Sequence, residues 1–151
     1  MSCAAIWNPL SGPGCAKSKL LIFSISPKLN LALSLWATSR ANAVWSERTE
    51  SSNIRKDSDL AAVQIQDMIR VFGIIKPNGQ GTVDKSYISN LSPLERSLNI
   101  ETVSGSLAAS TDGDGQGWLY YLCDEPSGIY ECPVGRKKSK TTLIEDAGTG
   151  S

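Results

Sequence analysis

The chain has 151 residues, with 15 basic and 15 acidic side chains, so it is formally neutral, and it contains no histidine. Neutrality removes the electrostatic reason to bind nucleic acid or anionic lipid. Without histidine there can be no Ser-His or Cys-His catalytic pair and no imidazole metal ligand.

The charges are unevenly distributed. The first forty-six residues carry no aspartate or glutamate, only Lys17, Lys19, Lys28 and Arg40, and the acids begin at Glu47. Basic, serine-rich and acid-free is the composition of a targeting peptide. Leu29 to Ala37 forms an apolar run behind Lys28 and leads into Ala41-Asn42-Ala43, a small-x-small signal-peptidase pattern. That run is nine residues long, against about twenty needed to span a bilayer. Residues 1–43 therefore read as a cleavable targeting segment, with membrane contact only if it is retained. The expected destination is the periplasm or the extracellular space, or a plastid lumen given the long basic lead. Cleavage after Ala43 would leave 108 residues at a net charge of −4, a size at which one hydrophobic core gives marginal stability.

Residues 44–56 are polar and read as a flexible lead into a small domain at 57–134. Asp57 or Ser58 can cap a helix there, with Asp59 in its first turn. Ala61, Ile65, Met68, Ile69 and Phe72 then recur at three- and four-residue steps, placing Ile65 and Met68 in the core. Gly73 is the natural stop, and Pro77-Asn78-Gly79 a turn. Ser92-Pro93-Leu94-Glu95 has the form of a capping box for a second, short helix ending near Leu98. Ile100 to Ala109 reads as a strand or two interrupted by Gly105. Residues 111–117 form a glycine-rich loop, and Trp118 to Leu122 and Ile129 to Val134 are strands of a hairpin. Residues 135–151 read as a disordered tail, and no internal repeat stands out. The expected fold is α+β: one longer and one short helix on a small antiparallel sheet ending in a C-terminal β-hairpin.

Catalytic chemistry has little support. The carboxylate pairs Asp112/Asp114 and Asp124/Glu125 sit in a chain with little room to bury and tune an acid against a base. A non-enzymatic protein without a required cofactor is expected. Asp112-Gly113-Asp114-Gly115-Gln116-Gly117 resembles the opening of an EF-hand loop, which implies weak calcium binding by Asp112 and Asp114. The twelfth position, a bidentate glutamate in that loop, is Cys123 here. Cys123 and Cys132 are expected to form a disulfide across the hairpin, because a turn at Ser127-Gly128 would set them opposite each other.

The hairpin offers the most suggestive surface. Side chains alternate faces along a strand, so Leu119, Tyr121 and Cys123 share one side and Trp118, Tyr120 and Leu122 the other. Ile129, Glu131 and Pro133 alternate with Tyr130, Cys132 and Val134 on the return strand. Both faces are apolar or aromatic, and Trp118, Tyr120, Leu122 and Ile129 are candidate protein-docking residues. The sequence thus points to an exported, non-catalytic accessory subunit of a larger assembly, with a protein partner and neither nucleic acid nor a small-molecule substrate. The alternative is a free-standing secreted ligand binder or inhibitor, with weak calcium binding.

Overall fold

A computed structural model describes residues 3–8, 19–37, 44–48, 53–66, 68–76, 85–92, 96–102, 104–112, 115–124, 126–134 and 142–145. Among them there are twelve strands and no helix. They form three four-stranded antiparallel sheets. The first contains β1 (Cys3–Asn8), β2 (Lys19–Ile25), β3 (Leu31–Ala37) and β4 (Val44–Arg48). The second contains β5 (Ala61–Ile65), β6 (Met68–Ile75), β7 (Tyr87–Ser92) and β8 (Arg96–Glu101). The third contains β9 (Leu107–Thr111), β10 (Gly117–Asp124), β11 (Ser127–Val134) and β12 (Thr142–Glu145). Within each sheet the strands lie in sequence order, so every sheet is a simple meander.

The α+β expectation is overturned at both helices. Residues 61–75 fold as the β5–β6 hairpin, with Ile65 opposite Met68. Gln66 turns the chain at φ 56°, the left-handed conformation that a tight hairpin requires. Gln66-Asp67 lacks the Asn-Gly or Asp-Gly signature of such a turn, so the break was not legible. Apolar residues at 61, 65, 68 and 72 fit a helical stripe as well as two strands joined at 66–67. The discriminating feature is the nearly continuous apolar run from Met68 to Ile75, typical of a strand covered on both faces. Ile65 is buried, as expected, but Met68 is 47% exposed. The supposed second helix also dissolves into strands: Ser92 ends β7 opposite Val71, and Arg96 opens β8 opposite Asn90. Gly105 lies between β8 and β9, where the sequence suggested a break between strands.

Residues 3–37, read as part of a targeting segment, supply β1, β2 and β3. Phe23, Ile25 and Leu31 are buried. A composition-based reading passed over the period: Leu31, Leu33 and Leu35 alternate with Ala32 and Ser34, the two-residue repeat of a strand. The supposed flexible lead contains β4 and the fully buried Ile54. In the C-terminal stretch read as disordered, β12 pairs with β11; the rest of that stretch, and Pro77-Asn78-Gly79, lie outside the described residues.

The second sheet is the middle layer. One of its faces packs on the first sheet, joining Leu60, Val71 and Leu91 to Phe23, Ile25 and Leu31. Its other face packs on the third sheet, joining Ala61, Val63, Ile65, Phe72, Ile74 and Ile88 to Leu119, Tyr121 and Val134. The leading strands run close together, β5 lying beside both β1 and β9. At this inner edge the second and third sheets approach so closely that a Cβ on Gly117 would lie 2.3 Å from Ile65 Cδ1.

The three sheets repeat one another, contrary to the sequence-based expectation of no repeat. Each leading strand carries an alanine pair: Ala4-Ala5, Ala61-Ala62 and Ala108-Ala109. The first alanine faces an aromatic residue across the ladder: Phe23, Phe72 and Tyr120 respectively. The second faces an aliphatic residue: Ile22, Val71 and Leu119. Two residues beyond each aromatic, another cross-strand apolar pair recurs: Ile25 with Leu31, Ile74 with Ile88, and Leu122 with Ile129. The loops between these positions differ in length, which hides the repeat from a linear reading.

Candidate docking face

The third sheet has one face in the core and one face turned outward. Leu119, Tyr121 and Val134 are buried against the second sheet, with Leu107, Ala109, Cys123, Tyr130 and Cys132 packed around them. Tyr121 and Tyr130 stack there with ring centroids 5.7 Å apart, an offset geometry that adds to burial. Strand alternation then assigns Trp118, Tyr120 and Leu122 of β10, and Ile129, Glu131 and Pro133 of β11, to the opposite face. Trp118 pairs with Pro133, Tyr120 with Glu131, and Leu122 with Ile129. The sequence-derived set Trp118, Tyr120, Leu122 and Ile129 is therefore brought together on one surface, each member half-buried. On the β9 side, the Ser110 hydroxyl lies 3.4 Å from the Tyr120 hydroxyl.

This face occupies the positions that form the core in the other two sheets. Tyr120, Leu122 and Ile129 match Phe23, Ile25 and Leu31 of the first sheet, and Phe72, Ile74 and Ile88 of the second. All six of those residues are buried, because the next sheet in the chain covers them. In the third sheet the same positions are half-buried.

A second face went unnoticed in the sequence because it lies in the stretch read as a targeting segment. Leu21, Phe23 and Ile25 point toward the second sheet, so Leu20, Ile22 and Ser24 lie on the far side of the first. Ile22 is half-buried, whereas its counterparts Val71 and Leu119 are 0% exposed. The signal that could have revealed it is the recurrence of the alanine pair.

The glycine-rich loop is a self-bonded turn between β9 and β10. The Asp112 carboxylate accepts the Gln116 N–H at 2.8 Å, and the Asp112 N–H donates to the Gln116 carbonyl at 3.0 Å. Gly115, at φ 77°, takes the left-handed conformation. Asp114 lies outside the described residues, so the candidate calcium ligands cannot be placed together. Among the described residues no three His, Cys, Asp or Glu side chains cluster as a metal site.

The expected disulfide is corrected by the register. Pairing continues out to Asp124 opposite Ser127, which sets Cys123 against Gly128 and Cys132 against Leu119. The cysteines are thus four pairing positions apart, about 13 Å along the ladder, beyond the roughly 7 Å limit for bridging. Both are thiols.

The chain is similar to two curated fungal proteins. It is 32% identical over 150 residues to the wall-associated proteinase of Coccidioides posadasii, covering 90% of this chain and 46% of that protein. The wall-associated proteinase of Coccidioides immitis is 31% identical over the same length and shares. The chain thus spans about half the length of the curated relatives it matches. No family model and no solved structure matches it. The proteinase names belong to those longer proteins, and they lend no support to the expectation of a non-catalytic chain.

Proposed function

We propose that this chain is an exported, wall-associated protein that acts as a structural and binding unit of a larger β assembly, docking through the outer face of its third sheet. The observation that carries the location is the similarity to wall-associated proteins along 90% of the chain. Docking is supported by the half-buried row Trp118, Tyr120, Leu122 and Ile129, at positions that are core in the sister sheets. Aromatic and branched side chains on a flat sheet supply large apolar contact area at low entropic cost. The test is fractionation of the native source with an antibody to the chain. Recovery from the wall or culture fluid supports the reading, and recovery from the cytosol alone refutes it.

A second reading is favoured by the relatives' names: the chain is part of a proteinase. With no histidine in the sequence, hydrolysis by this chain alone would have to use a nucleophile activated without imidazole, such as serine with lysine. Assay of the purified chain on casein, with and without a serine-reactive inhibitor, decides between the readings. Inhibitor-sensitive hydrolysis would replace the binding role with a catalytic one.

A further inference from the structure

We propose that the outer face of the third sheet is covered by the first sheet of a second copy of this chain, and reciprocally, so that two chains close a six-sheet ring. The inference rests on the docking reading above and names its partner. Three observations carry it. First, each sheet is a four-stranded meander packed face to face on the next, with β1, β5 and β9 adjacent at the inner edge. That is the radial arrangement of a β-propeller, which closes with four to eight such sheets. Three sheets fall short of closure, and two copies supply six.

Second, the repeat gives every sheet a forward face and a backward face with defined roles. The aromatic opposite the first alanine points forward: Phe23 is 5% exposed under the second sheet and Phe72 1% exposed under the third. The aliphatic opposite the second alanine points backward: Val71 and Leu119 are each 0% exposed against the preceding sheet. Tyr120 and Ile22 hold these positions at the two ends and are half-buried. A forward face built like two that are covered, and a backward face built like two that are covered, fit each other by the same rule that packs the internal layers. Bulk also matches: Trp118, Tyr120 and Leu122 would meet a surface of Ala5, Ile22, Ser24 and Ser34. Third, the curated relatives are about twice as long as the stretch they share with this chain, a length at which six such sheets fit in one chain.

The contact is heterologous, forward onto backward, and occurs twice around a two-fold axis, so the assembly is closed and stops at two. Light scattering on the eluting 151-residue chain is expected to give twice its 16.2 kDa mass. Tyr120→Lys and Ile22→Lys should each reduce it to a monomer. Mixing the two monomeric variants should restore dimers, because one of the two contacts then has both faces intact. A wild-type chain that is folded by circular dichroism and runs as a monomer overturns the proposal while leaving docking to another protein intact. A dimer abolished by Tyr120→Lys but indifferent to Ile22→Lys would mean third sheet on third sheet, and also overturns it. Open-ended polymers would do the same.

Discussion

The Ser58 hydroxyl accepts the backbone N–H of Ile74 at 2.8 Å, and both residues are fully buried. Ile74 lies beyond the end of the β5 ladder, which reaches Phe72 on β6. The segment before β5 completes the pairing there, with Arg55 N–H donating to the Ile74 carbonyl at 2.7 Å and Lys76 N–H to the Asn53 carbonyl at 2.9 Å. Ser58 thus performs for a strand what the sequence suggested it would do for a helix. Ser58→Ala would leave a buried N–H unsatisfied and is expected to cost about 1–3 kcal/mol. Chemical denaturation of the two proteins measures the difference, and a change near zero would mean that water reaches Ile74.

Gly73 is fixed by space. A Cβ there would lie 2.6 Å from Leu91 Cδ1 and 3.1 Å from Leu60 Cδ2, both in the core between the first and second sheets. Gly73→Ala is expected to destabilise by about 1–3 kcal/mol through overpacking. The variant should melt below wild type, whereas a helix-stop glycine past the end of an exposed helix would tolerate alanine far better.

Ile65 and Met68 face each other across the β5–β6 turn but differ in burial, at 7% and 47% exposed. Ile65→Ala should cost about 2–5 kcal/mol, and Met68→Ala only a small fraction of that. Equal losses in thermal unfolding would contradict the hairpin and favour the helical stripe.

Arg55 grips Asp57 through both carboxylate oxygens, with Nε donating to Oδ1 at 2.7 Å. The hydrogen bond from Arg55 holds the Asp57 carboxyl below its ordinary value. A depressed folded-state pKa contributes stability that is present above the unfolded value, about 3.9, and fades as pH falls below it. The Asp57 side chain is 65% exposed, so solvent screening limits the pair to about 1 kcal/mol at most. Arg55→Gln should therefore trail wild type slightly at pH 7, and the gap should close below about pH 4. Urea denaturation at several pH values reads this, and a gap that widened in acid would reverse the assignment.

Cys123 and Cys132 are too far apart along the ladder to bridge. Non-reducing peptide mapping after denaturation is expected to recover both as separately alkylated peptides. A linked 123–132 peptide would require the hairpin to shift its register.

What the sequence alone determined is local and two-sided. The alternation from Trp118 to Cys123 and from Ile129 to Val134 assigned each residue to its face, since strand geometry leaves no other choice. Asp112 and the glycines after it marked a turn by their own chemistry. The tertiary structure decided everything that depends on what lies across a face. Met68 to Ile75 is a strand because sheets cover it on both sides, and a run apolar all round carries no period by which to tell strand from helix. The register of β10 on β11 depends on a one-step choice of turn, which separated Cys123 from Cys132. The leading stretch looked like an export signal by composition, yet Phe23, Ile25 and Leu31 are core because Leu60, Val71 and Leu91, some thirty to sixty residues away, pack against them. Such long-range burial leaves no mark on local composition.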